Sequence, residues 1–490
     1  SIFIIYAYSH TLNFQELMQQ GGWAVELAKS GLLLPAALLF FGGPIGKSAQ
    51  FPLHEWLPDA MAGPTSVSAL IHAATMVKAG VYLMARMGII FFMVGVGTSF
   101  FETVAWIGAF TAILAASQAL VSVEIKKVLA YSTVSQIGYM MLAIGAGGLT
   151  HDFTAGTAAG IFHLMSHAIF KAALFLSAGA VIHATETRFM DEMGGLRKYM
   201  KYTFIAMVVA SLSLSGIPPL GGFWSKDAVL LVTLESGQMF LFITAAITAM
   251  MTILYTVRML GMIFLGKESH FVETLRAKGH HIREAPRIMY VPYVLLAAGT
   301  VVLGLSAPFG LEQQLHEMLS SGVPIHLESS LMAADAPIIN LQFTAVATSL
   351  LMSAVGGALG YYFYIARRAN PSQFVRRSYF LRSLQVFLFN RWYINPTYYK
   401  LFVNAPISIA RRVWQAVEIG VLDRINYSVA PRVLHGATSL YRGFEVGVMD
   451  RFNYQLASGG VKFSSLSDKF DLGVVDRAVN RVASAGSRLS

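Results

Sequence analysis

The sequence predicts an all-α protein that crosses a membrane many times. Of its 490 residues, 55% are hydrophobic and only 13% are charged, and the mean hydropathy is +0.57. A soluble protein of this length needs more polar surface than this composition supplies. About nine apolar runs reach crossing length, and a basic, amphipathic stretch follows the last of them. These observations predict a polytopic helical membrane protein with a long C-terminal surface element.

The apolar runs are each about 20 residues or longer, which is enough to cross a hydrocarbon core of about 30 Å as a helix. They lie at approximately 31–51, 66–87, 103–123, 128–147, 155–184, 202–231, 240–265, 288–307 and 341–365. Residues 1–8 resemble the end of a preceding span, and the sequence opens without an initiator Met. We expect a fragment from which the upstream helices, and also a final span after residue 490, are missing.

Two of the runs contain Gly and Pro together and are expected to be interrupted helices. The first reads GGPIGKSAQ at 42–50 and includes Lys47, and the second reads SGIPPLGGF at 215–223 and is followed by Lys226. Irregular backbone at membrane depth is tolerated only where protein or a wet cavity satisfies it. Two broken spans, each beside a lysine and about five helices apart, are typical of duplicated transporter halves.

The run at 155–184 carries three ionisable residues four positions apart, His163, His167 and Lys171. This spacing places them on one face of a helix. Ionisable groups at bilayer depth are costly, so they usually face a polar interior and mark ion pathways. The alternative is that the histidines are hydrogen-bonded core residues and that Lys171 snorkels to an interface.

Cysteine is absent, which excludes disulfides, thiolate metal sites and iron–sulfur ligation on this chain. The net charge of +10 arises from Lys and Arg residues in short loops, which indicates membrane topology instead of nucleic-acid binding. By the positive-inside rule, the loops after the third, fifth, seventh and ninth runs are cytoplasmic. The acidic Glu55 and Asp59 are an exception on that side, while the opposite loops carry acids such as Asp152, Glu235 and those at 312–335.

The stretch 379–490 has a different character. Aromatic and branched residues recur at helical spacing among Arg, Asp and Asn, which favours a long amphipathic element along a surface. A weak repeat of about 27 residues also occurs here. Its three units are GVLDR at 420–424, GVMDR at 447–451 and GVVDR at 473–477.

Several long motifs are similar to those of one membrane family. They are GKSAQFPLHEWLPDAM at 46–61, GPTSVSALIHAATMV at 63–77, KKVLAYST at 126–133, QIGY at 136–139, SKD at 225–227 and YTVR at 255–258, with His163, His167 and Lys171. On these motifs the chain resembles the antiporter-like subunits of respiratory complex I. Its amphipathic C-terminal region resembles the lateral helix of the subunit L type.

This resemblance implies an antiporter-like fold with inverted helix repeats, two interrupted helices and a long C-terminal amphipathic lateral helix. It also implies a division of the chain into five parts. These are 1–30, the end of a preceding helix and a loop; 31–100, the end of the first half-channel repeat; 101–266, the second half-channel repeat; 267–378, additional transmembrane helices and loops; and 379–490, the lateral helix region.

The resemblance further implies that redox energy in partner subunits drives proton movement through this chain. Lys47 would be the lysine of the first half-channel, Lys171 the central lysine and Lys226 the terminal lysine of the second half-channel. His72, His163 and His167 would be the connecting relay. The glutamate that normally pairs with the first lysine is not found in this sequence, so the first half-channel is incomplete as given.

The expected partners are other membrane subunits along the lateral helix, the lipid bilayer and protons, with no nucleic acid. We expect no cofactor on this chain, and NADH, flavin, iron–sulfur clusters and quinone on partner subunits in an inner (plasma) membrane complex. Two alternatives stay open: a subunit of a related cation/proton antiporter or membrane-bound hydrogenase, and a non-conducting assembly scaffold. The electron donor, the quinone type and the choice of proton or sodium are not fixed by the sequence.

Overall fold

The computed structural model describes residues 1–19, 21–320, 338–425, 427–429, 431–433 and 447–486. The chain forms two compact units, Ser1–Trp392 and Tyr393–Ser490. The helix over 379–389, which the sequence analysis groups with the lateral region, therefore lies in the first unit.

The first unit is built from helices. In chain order they are α1 (Ile2–Ser9), α2 (Phe14–Gln19), α3 (Gly22–Lys29), α4 (Leu33–Lys47), α5 (Trp56–Asp59), α6 (Thr65–Ala73), α7 (Met76–Met93), α8 (Thr98–Val121), α9 (Ile125–Gly147), α10 (Phe153–Thr185), α11 (Lys201–Ser215), α12 (Gly221–Glu235), α13 (Met239–Phe264), α14 (His270–Ala277), α15 (Arg287–Ser306), α16 (Leu311–Ser320), α17 (Ile338–Gly360), α18 (Pro371–Arg376) and α19 (Tyr379–Phe389).

All nine predicted apolar runs are helical. Among the described residues, seven helical segments are long and apolar enough to cross a membrane, with α6 and α7 counted together as one span of 29 residues. An eighth arises if α3 and α4, which meet at a bend of 109°, form one broken span. The remaining predicted run forms two helices, α11 and α12, which are separated by the non-helical residues 216–220.

Helix α9 lies at the centre of the first unit, and every residue of it except Lys127 is buried. Small residues let its neighbours approach closely. A Cβ atom on Gly138 of α9 would lie 2.6 Å from the carbonyl oxygen of Gly108 on α8, and one on Gly156 of α10 would lie 2.5 Å from that of Ala143. Because lipid supplies little hydrophobic driving force between helices, such close packing is what stabilises membrane helix pairs.

The first interruption, predicted within residues 42–50 and beside Lys47, lies directly after Lys47, where α4 ends. Helix α4 runs through Pro44, and Ser48 N–H donates to the Pro44 carbonyl over 2.9 Å. Proline costs a helix one donor, and neighbouring groups in a membrane protein compensate for this loss. Here Trp56 Nε1 donates to Gly46 O at 3.0 Å, which satisfies a carbonyl at the end of the helix.

The second interruption confirms the prediction for the sixth run. Helix α11 ends at Ser215 and is followed by Gly216, whose φ of 74° lies in the left-handed region; α12 begins at Gly221. Lys226 of α12 donates from Nζ to Leu214 O over 2.6 Å. A cation thus lies at the negative end of the preceding half-helix, where the helix dipole favours positive charge.

A third break separates α6 from α7 and is not predicted by the sequence. Thr75, between the two helices, has φ −119° and ψ −88° and donates from N–H to Leu70 O over 3.2 Å. No proline or glycine marks this position, so the sequence pattern continues through it. The break changes the direction in which His72 and Lys78 project relative to one straight helix.

The predicted cytoplasmic loops lie together at one end of the first unit. Ile125 N–H donates to Arg188 O at 3.0 Å, and Ser269 Oγ donates to Glu192 O at 2.5 Å. The acidic exception Glu55 lies at this end too, because Arg391 Nη1 contacts its carboxylate at 2.9 Å.

At the opposite end His316 Nε2 lies 2.9 Å from Asp152 Oδ2. Most of the acidic stretch at 312–335 lies outside the described residues.

The second unit is also helical, and many of its apolar side chains are exposed, Phe402 by 71% and Phe463 by 77%. The middle repeat, at 447–451, has its side chains outside the described part, so the repeat stays a prediction. The described helices are α20 (Ile394–Tyr398), α21 (Ala405–Val413), α22 (Gly447–Phe470) and α23 (Asp476–Gly486), with π-helical segments at Tyr399–Asn404, Trp414–Asp423 and Asp471–Val475.

Candidate functional site

Helix α10 presents three ionisable side chains to the interior of the first unit. At 33 residues it is about 50 Å long, longer than a hydrocarbon core of about 30 Å. His163, His167 and Lys171 are each 0% exposed. The four-residue spacing places them successively along one face, as the sequence indicates.

The shortest contact between ionisable groups in this row comes from a lysine that the sequence analysis does not include among the site residues. Lys78 Nζ of α7 lies 2.6 Å from His167 Nδ1, and 3.4 Å from Leu164 O. Lys78 is 5% exposed. A lysine inside an apolar span is the signal that could have identified it, since such residues are rare and costly at membrane depth.

His163 joins α10 to two further helices. Its Nδ1 lies 2.9 Å from Ser225 Oγ of α12, and its Nε2 lies 3.1 Å from Gln136 Oε1 of α9. A neutral imidazole donates from one nitrogen and accepts at the other, which fits a hydroxyl on one side and an amide oxygen on the other. The ring centroids of His163 and His167 are 6.4 Å apart.

Lys171 lies one turn beyond His167 on α10. Its Nζ donates to Ser132 Oγ at 2.6 Å and to Leu129 O at 3.5 Å, both on α9. These are neutral oxygen acceptors. Polar contacts of this kind make a buried lysine tolerable in a membrane interior.

Lys226 lies at the other end of the row, 2% exposed, beside Ser225, which contacts His163. Its Nζ lies 5.9 Å from the centre of the Tyr139 ring, within the range of a cation–π contact. The Tyr139 hydroxyl donates to Ala245 O. Lys226 is therefore held by the Leu214 carbonyl on one side and an aromatic face on the other.

His72 is also fully buried, and its ring packs against that of Phe175 of α10 with centroids 4.6 Å apart and an interplanar angle of 32°. Within the described part of the chain neither of its ring nitrogens has a hydrogen-bond partner. His72 thus shares the interior with the row on α10 without a direct polar contact to it among the described residues.

Lys47 does not join this cluster. It is the last residue of α4 and is exposed, on a helix side where Leu39 is 61% exposed. The series of lysines expected from the sequence therefore stays a prediction at Lys47.

Two further cations, Lys126 at the start of α9 and Arg258 within α13, have structural roles. Lys126 Nζ donates to Met61 O at 2.7 Å and Gly63 O at 2.5 Å, and so closes the turn before α6. Arg258 Nη1 donates to Ser122 O at 2.7 Å. Both therefore satisfy backbone carbonyls at the basic end of the unit.

The arrangement is a series of ionisable groups buried in the interior of the first unit. Lys78 contacts His167, and the His167 and His163 rings lie 6.4 Å apart between centroids. His163 contacts Ser225, the residue before Lys226, and Lys171 extends the same face of α10. Histidine carries protons readily near neutral pH. Among the described residues, no group of three or more His, Cys, Asp or Glu side chains is placed to hold a metal ion.

Comparison with known proteins identifies the family. Residues 1–252, just over half of the chain, match the family described as NADH:quinone oxidoreductase/Mrp antiporter, TM. This chain belongs to that family. The family resemblance drawn from the sequence motifs is thereby confirmed.

Curated relatives carry complex I names. The chain is 39% identical over 420 residues to NAD(P)H-quinone oxidoreductase chain 5 of Picosynechococcus sp., covering 80% of this chain and 59% of that one. It is 40% identical over 381 residues to NADH-quinone oxidoreductase subunit L of Escherichia coli, covering 75% and 58%. The subunit L of Rickettsia bellii is 34% identical over 438 residues, covering 86% and 64%. The chain thus spans about three fifths of the length of these relatives.

A solved structure shows the same fold. The match is a chain of the Mrp complex from Dietzia sp., with a TM-score of 0.56, 23% identity and coverage of 67% of this chain and 66% of that one. The antiporter-like fold implied by the motifs is confirmed by this similarity.

Proposed function

We propose that this chain is a proton-translocating membrane subunit of an NADH–quinone oxidoreductase of the complex I type. The names of its curated relatives support the assignment to that enzyme. The observation that carries the translocating role is the buried contact between Lys78 Nζ and His167 Nδ1 at 2.6 Å, continued by His163. Protons would pass along this row in response to electron transfer in other subunits.

Electrostatics provides the coupling. Charges in a low-dielectric interior interact far more strongly than in water, so neighbouring buried cations repel one another. A proton that binds to Lys78 or Lys171 therefore favours the release of a proton from the next group in the row. Motion of a charge on a neighbouring subunit would shift the occupancy of the whole series in the same way. The role of Lys47 in a first half-channel stays a prediction.

The redox chemistry of the enzyme is assigned to partner subunits. This chain has no cysteine with which to ligate an iron–sulfur cluster. NADH, flavin, iron–sulfur clusters and quinone would then bind elsewhere in the complex. The membrane subunits would meet this chain along its C-terminal region, and the complex would lie in the inner membrane of a bacterial cell.

The direct test is proton pumping in sealed membrane vesicles with Lys171→Ala. We expect the complex to assemble and oxidise NADH but to translocate fewer protons per electron. Lys127→Ala is the matched control, because Lys127 lies one residue from the buried Lys126 but is itself 35% exposed in an ion pair with Glu124. Unchanged pumping by Lys171→Ala in an assembled complex would contradict the conducting role and leave the scaffold alternative.

A second candidate is a subunit of a cation/proton antiporter. The family description names both enzymes, and the solved structure with this fold belongs to an Mrp complex. Purification of the complex through a tag on this chain, followed by mass spectrometry of its subunits, separates the candidates. Co-purifying NADH-binding and iron–sulfur subunits would support the complex I assignment, and their absence from an intact complex would favour the antiporter.

A further inference from the structure

A cleft opens at the basic end of the first unit, where α8, α13 and α17 end. It has a volume of about 490 Å³ and is closed on the outer side by α18 and α19. This volume is in the range of small-molecule and cofactor sites in proteins. Its polar lining is confined to Arg258, Tyr364, Ser372 and Gln385, and the rest is apolar.

The apolar lining comes from faces that other parts of the described chain leave uncovered. Leu359, Phe374 and Phe389 line the cleft and are 40%, 50% and 68% exposed. On α13, Leu254, Arg258 and Met262 point into it from successive turns. Burying this surface under a hydrocarbon chain would be favourable because it removes apolar side chains from water.

A second cavity, of about 350 Å³, continues the cleft toward the helix ends. The two share wall residues, among them Phe363 and Tyr364, and the second also includes Arg367. Arg367 lies two residues after the π-helical turn Tyr361–Ile365 that follows α17. Its φ is 51°, and its Nη2 donates to Leu265 O at 2.9 Å. The guanidinium is thereby fixed beside the opening.

The surrounding segment is strongly basic. Residues 366–392 contain six arginines and no acidic residue, and no Asp or Glu occurs between residues 366 and 417. Clusters of four to eight cations next to a membrane span, or on an amphipathic helix, are typical of sites for anionic lipid headgroups. Arg391 pairs with Glu55, which leaves five arginines for such a headgroup: Arg367, Arg368, Arg376, Arg377 and Arg382.

We propose that this cleft binds an anionic phospholipid of the adjoining leaflet. An acyl chain would fill the cleft between α13 and α19, and the phosphate would lie at Arg367 in the second cavity. The bound lipid would seal α18 and α19 onto the ends of the membrane helices. Charge complementarity selects a phospholipid with a net negative headgroup over a zwitterionic one.

The test uses the purified complex with the full chain, stripped of lipid in detergent. Phosphatidylglycerol, phosphatidylcholine or inorganic phosphate is added, and bound lipid per chain and the thermal midpoint are measured. We expect phosphatidylglycerol to be retained and to raise the midpoint, and phosphatidylcholine and inorganic phosphate to do neither. Equal effects of phosphatidylcholine or of inorganic phosphate would overturn the proposal.

Variants locate the lipid in the cleft. Arg367→Gln is expected to weaken phosphatidylglycerol binding by about fivefold, because one phosphate contact near a membrane contributes about 1 kcal/mol. Val375→Trp is expected to abolish retention by filling the apolar cavity. Arg382→Gln, an exposed arginine in the same basic segment but outside both cavities, is the matched control and should bind normally. Normal binding by both site variants would contradict the location.

If Val375→Trp does not accumulate, a phosphatidylglycerol with a photoreactive acyl chain decides the question on the unaltered complex. Cross-links to peptides of α13, α18 or α19 would support the proposal. Cross-links confined to another part of the complex, or to a protein segment that occupies the cleft, would refute it.

Discussion

At the residue scale, the candidate site depends on a few side chains whose partners only the fold reveals. The sequence identifies His163, His167, Lys171 and Lys226 because ionisable residues stand out in apolar runs. It could not show that Lys78 contacts His167, since they are 89 positions apart and on different helices. It also could not show that Lys47 is exposed, because burial depends on which neighbours cover each side of α4.

His163→Gln tests the relay at its best-defined member. The amide can still accept and donate hydrogen bonds to Ser225 and Gln136 but does not take up a proton near neutral pH. We expect proton flux per electron to fall by about 100-fold or more, in keeping with the loss of a positioned acid–base group. Proton uptake by liposomes that contain the complex measures the flux. Ser166→Ala, a buried position of the same helix whose hydroxyl donates to Gly221 O, is the control and should retain most of it.

Glu268 provides a pH-dependent prediction outside the membrane spans. The pKa of Glu268 is lowered to about 2, chiefly by a hydrogen bond from Lys198. Burial raises the pKa, and hydrogen bonds from Tyr199 and Arg276 lower it further. Because the folded pKa lies below the unfolded value of about 4.3, the stabilisation is complete above that value and is lost as pH falls toward 2.

Glu268→Gln should therefore lower the unfolding free energy by about 1 kcal/mol at pH 7, since its cationic partners are largely exposed. The difference from wild type should vanish between about pH 4 and pH 2. Thermal unfolding in detergent across this range checks it. Glu273→Gln, at an exposed position in α14, is the control and should not change stability. If Glu268→Gln lowers stability at pH 2 as much as at pH 7, the ion pairs of Glu268 are not the cause of the loss.

At the element scale, the sequence predicts helix existence well and helix breaks unevenly. The break between α11 and α12 coincides with Gly216 and Pro218, because glycine alone adopts its φ of 74° without strain. In α4, Pro44 lies inside a continuous helix, since the surrounding protein compensates for its missing donor. The break at Ala74 and Thr75 has no glycine or proline signal and depends on tertiary packing.

Gly138→Leu should disrupt the pairing of α8 and α9. A Cβ atom there would lie 2.6 Å from Gly108 O and 2.8 Å from Ala112 N, and backbone atoms cannot move aside as a side chain can. We expect a loss of about 3 kcal/mol or more and poor accumulation in the membrane. Gly459→Leu, in α22 with no atom within 4 Å of the added Cβ, is the control and should accumulate normally. Normal accumulation of Gly138→Leu would show that the close approach is not required.

At the scale of the whole molecule, the first unit separates a basic end from an acidic end, with the buried row between them. The loop charges predict this polarity, which the contacts among residues 125, 188, 192 and 269 reproduce. The sequence leaves Glu55 and Asp59 unexplained. The fold explains them through Arg391, 336 positions away from Glu55, a pairing that no local pattern encodes.

Arg391→Glu should destabilise the first unit by about 2 kcal/mol, because it places like charges where Arg391 and Glu55 now pair at 2.9 Å. The exchanged pair Arg391→Glu with Glu55→Arg should recover much of that loss. Thermal unfolding of the purified complex measures both variants. If the exchange recovers nothing, the ion pair does not hold the end of α19 against the loop after α4.

The most direct measurement of the central proposal is a double-mutant comparison of Lys78→Ala and His167→Ala, scored as protons translocated per electron in sealed vesicles. If the two residues are consecutive members of one relay, each single variant loses pumping and the double variant loses no more than either. Electron transfer and assembly should persist in all three. Losses that add independently, or pumping that is normal in every variant, would contradict a single buried relay through this chain.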